Sequence, residues 1–255
     1  MPTDRIQGSL YTSIQNKVAT VEFGHPASNS FVSTLLQRLT DELNSLSKNE
    51  NVSVILLKSE GERAFCAGAS FDELVAISNL EEGKAFFSGF ANVINAMRNC
   101  KQPIIGRVQG KTVGGGVGLA AACDYVYATE AASIKLSEIT IGIAPLVIAP
   151  AVERKVGKAA LAELSLSPAE WKSAYWAKEK GLFSKVFENI SDMDKSLEIH
   201  VEKLASYNPK ALREMKRVLW EGTSHWDDLL MERAAASGRL ALSPETKAAL
   251  DKFKK

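Results

Sequence analysis

Two segments rich in small residues could present backbone amides to a single ligand. Residues 110–124, GKTVGGGVGLAAACD, contain five glycines and carry no charge between Lys111 and Asp124. Residues 64–74, AFCAGASFDEL, also follow a predicted strand and precede helical sequence. The N-terminus of a helix offers free N–H donors and positive potential, and two such donors aimed at one point form an oxyanion hole. Glycine in such a turn allows an acyl group to lie against the backbone.

The glycine segment taken alone allows two other interpretations. Residues 116–121 fit the G-x-G-x-x-A pattern of dinucleotide sites. That pattern also requires an acidic residue at the end of the next strand, about 20 positions on. Asp124 comes too early and Glu138 follows two predicted strands, so the context of a dinucleotide site is missing. The other interpretation is a tight strand-to-helix turn in which the alanines only pack against a neighbour.

Composition indicates an ordinary globular protein. The 255 residues are 45% hydrophobic and 24% charged, with a formal net charge of +1, so neither a nucleic-acid nor a membrane partner is expected. Residues 1–15 show no signal-peptide pattern, and we expect a cytoplasmic location. The three cysteines have no CxxC spacing and are interpreted as reduced thiols. His200 and His225 lie far apart in the sequence without an HExxH motif, so no metal site is predicted.

The elements that would carry the two small-residue segments follow from hydrophobic periodicity. Strands are predicted over residues 17–23, 52–57, 103–109, 124–129 and 133–137, with a further strand before Asn16 that forms a hairpin. Helices are predicted over 31–46, capped by Asn29 or Ser30, and over 84–98. Beyond Pro150 the chain becomes mostly helical, with helices over 168–181, 209–222, 226–242 and 244–255. We divide the chain into an α/β core, residues 1–190, and a C-terminal helical region, residues 191–255.

Several motifs together resemble one family. AFCAGASF, GxxxGGGxGLAxxCDxxxA and SEIxIGIAP resemble the crotonase superfamily, the enoyl-CoA hydratase/isomerase fold, and HPxxNSFxxxLL near the start resembles its N-terminal acyl-CoA segment. The resemblance covers nearly the whole chain in order. It implies an α/β fold built as a spiral of ββα units rather than a doubly wound sheet. It also implies C-terminal helices that assemble trimers, usually paired into hexamers.

The resemblance assigns roles to individual residues. It implies that the amides of Ala69 and Gly115 form the oxyanion hole and that a side chain at Gly115 would fill the place of the thioester. Glu138 matches a catalytic carboxylate, although by composition alone it would be a surface glutamate. Gly118, twenty positions earlier, stands where hydratases commonly carry a second glutamate. Contacts with the substrate or its CoA are implied for His25, Ala67, Ala69, Ser70, Phe71, Gly115 and Phe253.

The implied reaction is hydration of a 2-enoyl-CoA or its reverse, with CoA as part of the substrate and no further cofactor. The segment IGIAPLVIAPAVERKVG resembles hydratases of branched or carboxylated enoyl-CoA such as 3-methylglutaconyl-CoA. A Δ3-Δ2-enoyl-CoA isomerase remains open because a single glutamate can move a proton from C2 to C4. A non-catalytic acyl-CoA-binding or scaffold protein also remains open. A substrate carboxylate would need a basic partner, and the sequence does not choose among Arg98, Lys101, Lys135 and Arg154.

Overall fold

The computed structural model describes residues 5–252. Its strands are β1 (Ser9–Gln15), β2 (Val18–Gly24), β3 (Val54–Ser59), β4 (Ala64–Cys66), β5 (Ile104–Val108), β6 (Lys111–Val113), β7 (Tyr125–Thr129), β8 (Ser133–Lys135), β9 (Lys172–Ser173) and β10 (Lys185–Phe187). Its helices are α1 (Ser33–Lys48), α2 (Phe71–Ala76), α3 (Leu80–Asn99), α4 (Gly115–Ala122), α5 (Ala149–Leu166), α6 (Ala174–Glu179), α7 (Ile190–Ala205), α8 (Pro209–Leu219), α9 (Trp226–Ala241) and α10 (Pro244–Asp251). Short 3-10 helices cover Arg5–Gln7 and Glu138–Ile141.

The larger sheet has the strand order β1-β2-β3-β5-β7-β10. The predicted hairpin is confirmed: β1 pairs antiparallel with β2, and the remaining neighbours are parallel. Asn16 and Lys17 join the hairpin with φ angles of 51° and 65°. A two-residue loop with both φ angles positive matches the right-handed twist of the strands that it connects.

The smaller sheet has the order β4-β6-β8-β9, and its first three strands are parallel. Each of β4, β6 and β8 follows a strand of the larger sheet along the chain, and a helix or 3-10 helix comes after it. The chain therefore repeats a strand–strand–helix unit, as the spiral of ββα units requires. Because β4 and β6 are neighbours, the small-residue turns at their carboxyl ends meet at one edge of this sheet.

The core between the sheets and helices is apolar. One face of α1 is buried, with Leu35, Leu39 and Leu43 fully enclosed. Helices α3 and α9 pack unusually closely at Gly83 and Gly238: an ideal Cβ on Gly238 would lie 2.8 Å from the Gly83 carbonyl carbon. On the other face of the larger sheet, α7 buries a row of apolar side chains against β2, β3, β5 and β7.

One predicted helix is wrong in extent. Residues 168–181 were expected to be helical throughout, but only Ala174–Glu179 forms a helix. Lys172 and Ser173 instead pair antiparallel with β8. Pro168 and Gly181, which resembled helix signals, lie in turns on either side. The division of the chain at residue 190 stays a prediction. No helix within residues 5–252 is long and apolar enough to cross a membrane.

Candidate active site

A cavity of about 210 Å³ opens where the turns after β4 and β6 meet the 3-10 helix Glu138–Ile141. Its walls are mostly aromatic and aliphatic, and Glu138 is its one charged side chain among the residues that the structure describes. The lining residues are Ala67, Gly68, Ala69, Phe71, Leu74, Phe86, Phe87, Phe90, Val113, Gly114, Gly115, Ser137, Glu138, Ile141, Ile143, Ala144, Pro145, Leu146, Val147, Ile148 and Ser237. A concave apolar pocket with few polar groups is typical of a small-molecule site.

The two expected oxyanion donors, Ala69 and Gly115, both line this cavity. The bridge between Phe31 and Ala69 uses other groups: the Phe31 N–H donates to the Gly68 carbonyl (2.8 Å) and the Ser70 N–H donates to the Phe31 carbonyl (2.7 Å). The Ala69 N–H takes no part in that bridge. Gly115 is the first residue of α4, and N–H groups in a first turn have no intrahelical partner. Neither N–H donates in the backbone contacts described above, and the role of both amides as oxyanion donors stays a prediction.

Backbone packing at these turns requires glycine. An ideal Cβ on Gly68, where φ is +88°, would lie 3.6 Å from the Gly115 nitrogen, which shows how closely the two turns approach. The expectation that a side chain at Gly115 would fill the thioester's place needs correction. A Cβ there would lie 2.3 Å from Cζ of Phe90, a ring that lines the cavity, so it would first collide with the wall.

Glu138 opens its 3-10 helix and lies beside the glycine turn. Its Oε1 would be 2.8 Å from an ideal Cβ on Gly114, where φ is +53°. The residue keeps some exposed surface, but Oε2 is buried and has no hydrogen-bond partner among the described residues. Burial disfavours the charged form and raises the pKa of the Glu138 carboxyl to about 7. Such a carboxyl can both accept and return a proton near neutral pH.

Gly118, where the resemblance implies that a second carboxylate is missing, lies against Ile148. An ideal Cβ on Gly118 would lie 2.5 Å from Cγ2 and 2.7 Å from Cβ of Ile148. Ile148 also lines the cavity. An aliphatic wall therefore occupies the space into which a side chain at residue 118 would project.

The other predicted contact residues divide into two groups. Ala67 and Phe71 line the cavity, whereas Ser70 and His25 do not. Ser70 caps α2 by accepting the Glu73 N–H. His25 lies in a turn, where Nε2 is 3.0 Å from the Ile6 carbonyl and Nδ1 accepts the Ala27 N–H. Phe253 lies outside the described residues. Substrate contacts by these residues stay predictions.

Cys66 is the last residue of β4, directly before the turn that carries Ala69, and is fully buried. Its Sγ accepts the Gly68 N–H at 3.3 Å, and desolvation raises the pKa of the thiol to about 12. A thiol of that pKa is not an activated nucleophile. Within residues 5–252, no group of three or more His, Cys, Asp or Glu side chains could hold a metal ion.

Sequence reasoning missed two parts of the cavity. Phe86, Phe87 and Phe90 of α3 form one wall, a role that a helical pattern of aromatic residues does not distinguish from ordinary core packing. Ser237 of α9 contributes a hydroxyl from far along the chain, and no sequence signal indicated it. None of the four candidate basic residues, Arg98, Lys101, Lys135 and Arg154, lines the cavity.

Comparisons with known proteins agree with this geometry. Residues 13–248 match a family model described as enoyl-CoA hydratase/isomerase. The chain is 30% identical over 215 residues to the 2,3-dehydroadipyl-CoA hydratase of Escherichia coli, covering 82% of this chain and 81% of that protein. It is 33% identical over 199 residues to the mitochondrial methylglutaconyl-CoA hydratase of Rattus norvegicus, covering 76% and 62%. It is also 32% identical over 189 residues to the peroxisomal Delta(3,5)-Delta(2,4)-dienoyl-CoA isomerase of Arabidopsis thaliana, covering 69% and 67%.

Solved structures share the fold over almost the full chain. An enoyl-CoA hydratase from Bacillus halodurans superposes with a TM-score of 0.87 at 18% identity, over 95% of this chain and 99% of that one. An enoyl-CoA hydratase/isomerase from Pseudoalteromonas atlantica superposes with a TM-score of 0.83 at 26% identity, over 96% of each chain. The crotonase-type arrangement of two sheets, spiral units and C-terminal helices is therefore the fold of this chain.

Proposed function

The chain belongs to the enoyl-CoA hydratase/isomerase family, and from that premise we propose that it adds water to a 2-enoyl-CoA thioester, or catalyses the reverse elimination. The observation that carries the proposal is the meeting of three groups in one apolar cavity: the amides of Ala69 and Gly115 and the desolvated carboxyl of Glu138. Donors directed at a thioester oxygen stabilise the enolate that forms when C2 gains or loses a proton.

In the proposed reaction the thioester oxygen accepts hydrogen bonds from Ala69 and Gly115. The Glu138 carboxylate takes a proton from water while the hydroxyl bonds to C3, and the electrons of the double bond move onto the thioester as an enolate. Glu138 then returns that proton to C2 and the enolate collapses. Water is consumed, one C–O and one C–H bond form, and no oxidant or separate cofactor is required.

We further propose that the acyl group is branched or carboxylated, with 3-methylglutaconyl-CoA as the example. The segment IGIAPLVIAP supports this, as do relatives named methylglutaconyl-CoA hydratase and 2,3-dehydroadipyl-CoA hydratase. The cavity has a volume of about 210 Å³, which is small for a ligand site. That volume suits a short acyl chain.

Isomerisation is the second candidate, and one feature favours it. Ile148 occupies the space beside Gly118, so Glu138 has no second carboxylate to help position water. A single carboxyl that removes a proton from C2 and returns it to C4 would suffice. The relative from Arabidopsis thaliana named as a dienoyl-CoA isomerase shows that isomerases occur among the similar chains.

One assay separates these possibilities. The protein is incubated with crotonyl-CoA, 3-methylglutaconyl-CoA and a 3-enoyl-CoA, and the absorbance of the conjugated thioester is followed. Loss of absorbance from a 2-enoyl thioester, with solvent deuterium at C2 of the product, supports hydration. Appearance of absorbance from the 3-enoyl thioester alone replaces hydration with isomerisation. Saturable binding of all three without turnover would indicate a non-catalytic acyl-CoA-binding protein.

Assembly and location complete the proposal. We expect a trimer or hexamer in the cytoplasm, assembled through the C-terminal helices. Support comes from α8, where Met215, Val218 and Leu219 are 51%, 45% and 43% exposed in the single chain. Apolar side chains grouped on one helix commonly mark a contact between proteins.

A further inference from the structure

The apolar cavity contains one polar group that the proposed reaction does not use. Ser237 lies one turn before the C-terminal end of α9, is 1% exposed, and its Oγ has no hydrogen-bond partner among the described residues. It lines the same cavity as Glu138. A buried hydroxyl without a partner costs free energy, and a serine within a helix can ordinarily bond to the carbonyl four residues before it. Ser237 Oγ is instead left unpaired at the cavity wall.

A half-buried cation precedes Ser237 by one helical turn. Arg233 and Ser237 are four residues apart on α9, which places their Cβ atoms on one face roughly 5–6 Å apart. The Arg233 Nη1 donates to the carbonyl of Leu146 at 3.2 Å, and Leu146 lines the cavity. No carboxylate of residues 5–252 forms a hydrogen bond or ion pair with this guanidinium.

Three of the four candidate cations from the sequence have other contacts, and the fourth is exposed. The Lys135 ammonium lies 5.2 Å from the ring centroid of Trp171, and the Arg154 guanidinium stacks 3.8 Å above Trp220. Arg98 is paired with an aspartate of α9, and Lys101 is exposed. Arg233 is therefore a better candidate than these four residues, because its side chain contacts Leu146 of the cavity wall.

We propose that Ser237 and Arg233 form the subsite that recognises a carboxylate at the far end of the acyl chain, so that the substrate is a short carboxyl-terminated enoyl thioester. This inference rests on the proposed function, because it assigns the other end of the same substrate. A carboxylate buried in an apolar pocket without donors is strongly disfavoured. In this proposal the Ser237 hydroxyl donates to the carboxylate, and the guanidinium of Arg233, which contacts the Leu146 carbonyl of the cavity wall, provides the opposite charge. The apolar wall between Gly115 and Ser237 contacts the carbon chain.

A matched pair of substrates isolates the carboxylate. 3-Methylglutaconyl-CoA and 3-methylcrotonyl-CoA have the same thioester, double bond and methyl branch, and only the first carries a terminal carboxylate. The measured quantity is the ratio of their kcat/KM values. Hydrogen bonds to charged groups contribute enough that Ser237→Ala should lower this ratio by about 10- to 100-fold. Arg233→Gln should lower it similarly, whereas Arg233→Lys, which keeps the charge, should lower it less.

Arg239→Gln is the matched control because Arg239 is exposed on the same helix. It should leave the ratio unchanged. The inference is overturned if wild-type protein prefers 3-methylcrotonyl-CoA, if Ser237→Ala lowers both kcat/KM values equally, or if Arg239→Gln changes the ratio as much as Arg233→Gln does. A wild type that turns over neither of these thioesters nor crotonyl-CoA would overturn the proposed function itself.

Discussion

Replacement of Glu138 by glutamine tests the chemistry with little change of shape. Glutamine keeps the size and a hydrogen-bonding oxygen but cannot take or return a proton. General acid–base catalysis contributes about 100- to 10,000-fold, so kcat should fall at least 100-fold. The proposed oxyanion donors are backbone groups on other elements, so acyl-CoA binding should survive. We expect Glu138→Gln to bind crotonyl-CoA with a Kd within a few-fold of the wild-type value.

The pH dependence follows from the same burial. Desolvation raises the pKa of Glu138 from 4.5 to about 7, and the base is active only when it is ionised. Wild-type kcat/KM should therefore be level at high pH and fall as the pH drops below about 7. At pH 5 it should be about 100-fold lower than at pH 8. A carboxyl with the ordinary pKa would lose less than half of its activity over that interval.

The raised pKa also has a cost in stability. Folding disfavours the charged form of the Glu138 carboxyl. Below pH 4.5 the group is neutral in both the folded and the unfolded state, so it costs no folding free energy. The loss of folding free energy grows as the pH rises and is complete above about pH 7. Raising the pKa of Glu138 from 4.5 to about 7 corresponds to about 3 kcal/mol. Glu138→Gln should therefore be more stable than wild type at pH 8 by up to about 3 kcal/mol, and nearly equal to it at pH 4.

Urea denaturation at pH 4 and pH 8, with equal protomer concentrations, measures this difference. Glu232→Gln is the control, because Glu232 is exposed on α9 and its replacement should leave activity unchanged. An activity midpoint near pH 4.5 would refute the desolvation argument. So would a Glu138→Gln protein that is no more stable than wild type at pH 8.

Three other predictions follow from contacts around the cavity and from the C-terminal helices. Gly115→Val should lower kcat/KM for crotonyl-CoA by about 100- to 1,000-fold, because its Cβ would lie 2.3 Å from the Phe90 ring and displace the donor turn; full activity would contradict the assignment. Thr246→Val should lower the free energy of unfolding by about 1–3 kcal/mol, because the fully buried Thr246 hydroxyl donates to the Gly142 carbonyl at 2.8 Å; urea denaturation equal to that of wild type would refute this. Light scattering should give three or six times the 27.7 kDa chain mass, and a monomer would contradict the expected assembly.

Resemblance of these motifs to the family pointed to the two turns and to Glu138, which by composition alone would be a surface glutamate. Small residues at Ala69 and Gly115 mark positions where the backbone itself faces the cavity, and such positions can be identified without long-range contacts. The strands that carry these turns were harder to identify. β4 and β6 are three residues each, too short to show alternation, so the turns were placed directly after the longer strands that precede them.

Features that depend on distant packing could not be predicted. The spacing of Pro168 and Gly181 fits the two ends of one helix and two separate turns equally well. Only the pairing of Lys172 and Ser173 with β8 shows that the segment is not one helix. Ser237 enters the cavity because α9 packs on α3, a contact made across more than a hundred residues. Local patterns carry no information about such contacts.

The contact between Gly118 and Ile148 determines whether a second carboxylate could be restored. Gly118→Glu alone should destabilise the protein by about 1–3 kcal/mol or more, because its Cβ would lie 2.5 Å from Ile148 Cγ2 in a packed interior. Ile148→Ala alone should cost about 2–5 kcal/mol through the cavity that it leaves. In the double variant the new side chain enters the vacated space, so its loss of stability should be smaller than the sum of the two single losses by about 1 kcal/mol or more. Urea denaturation of the four proteins measures this coupling, and strictly additive losses would show that Ile148 is not what closes the second carboxylate position.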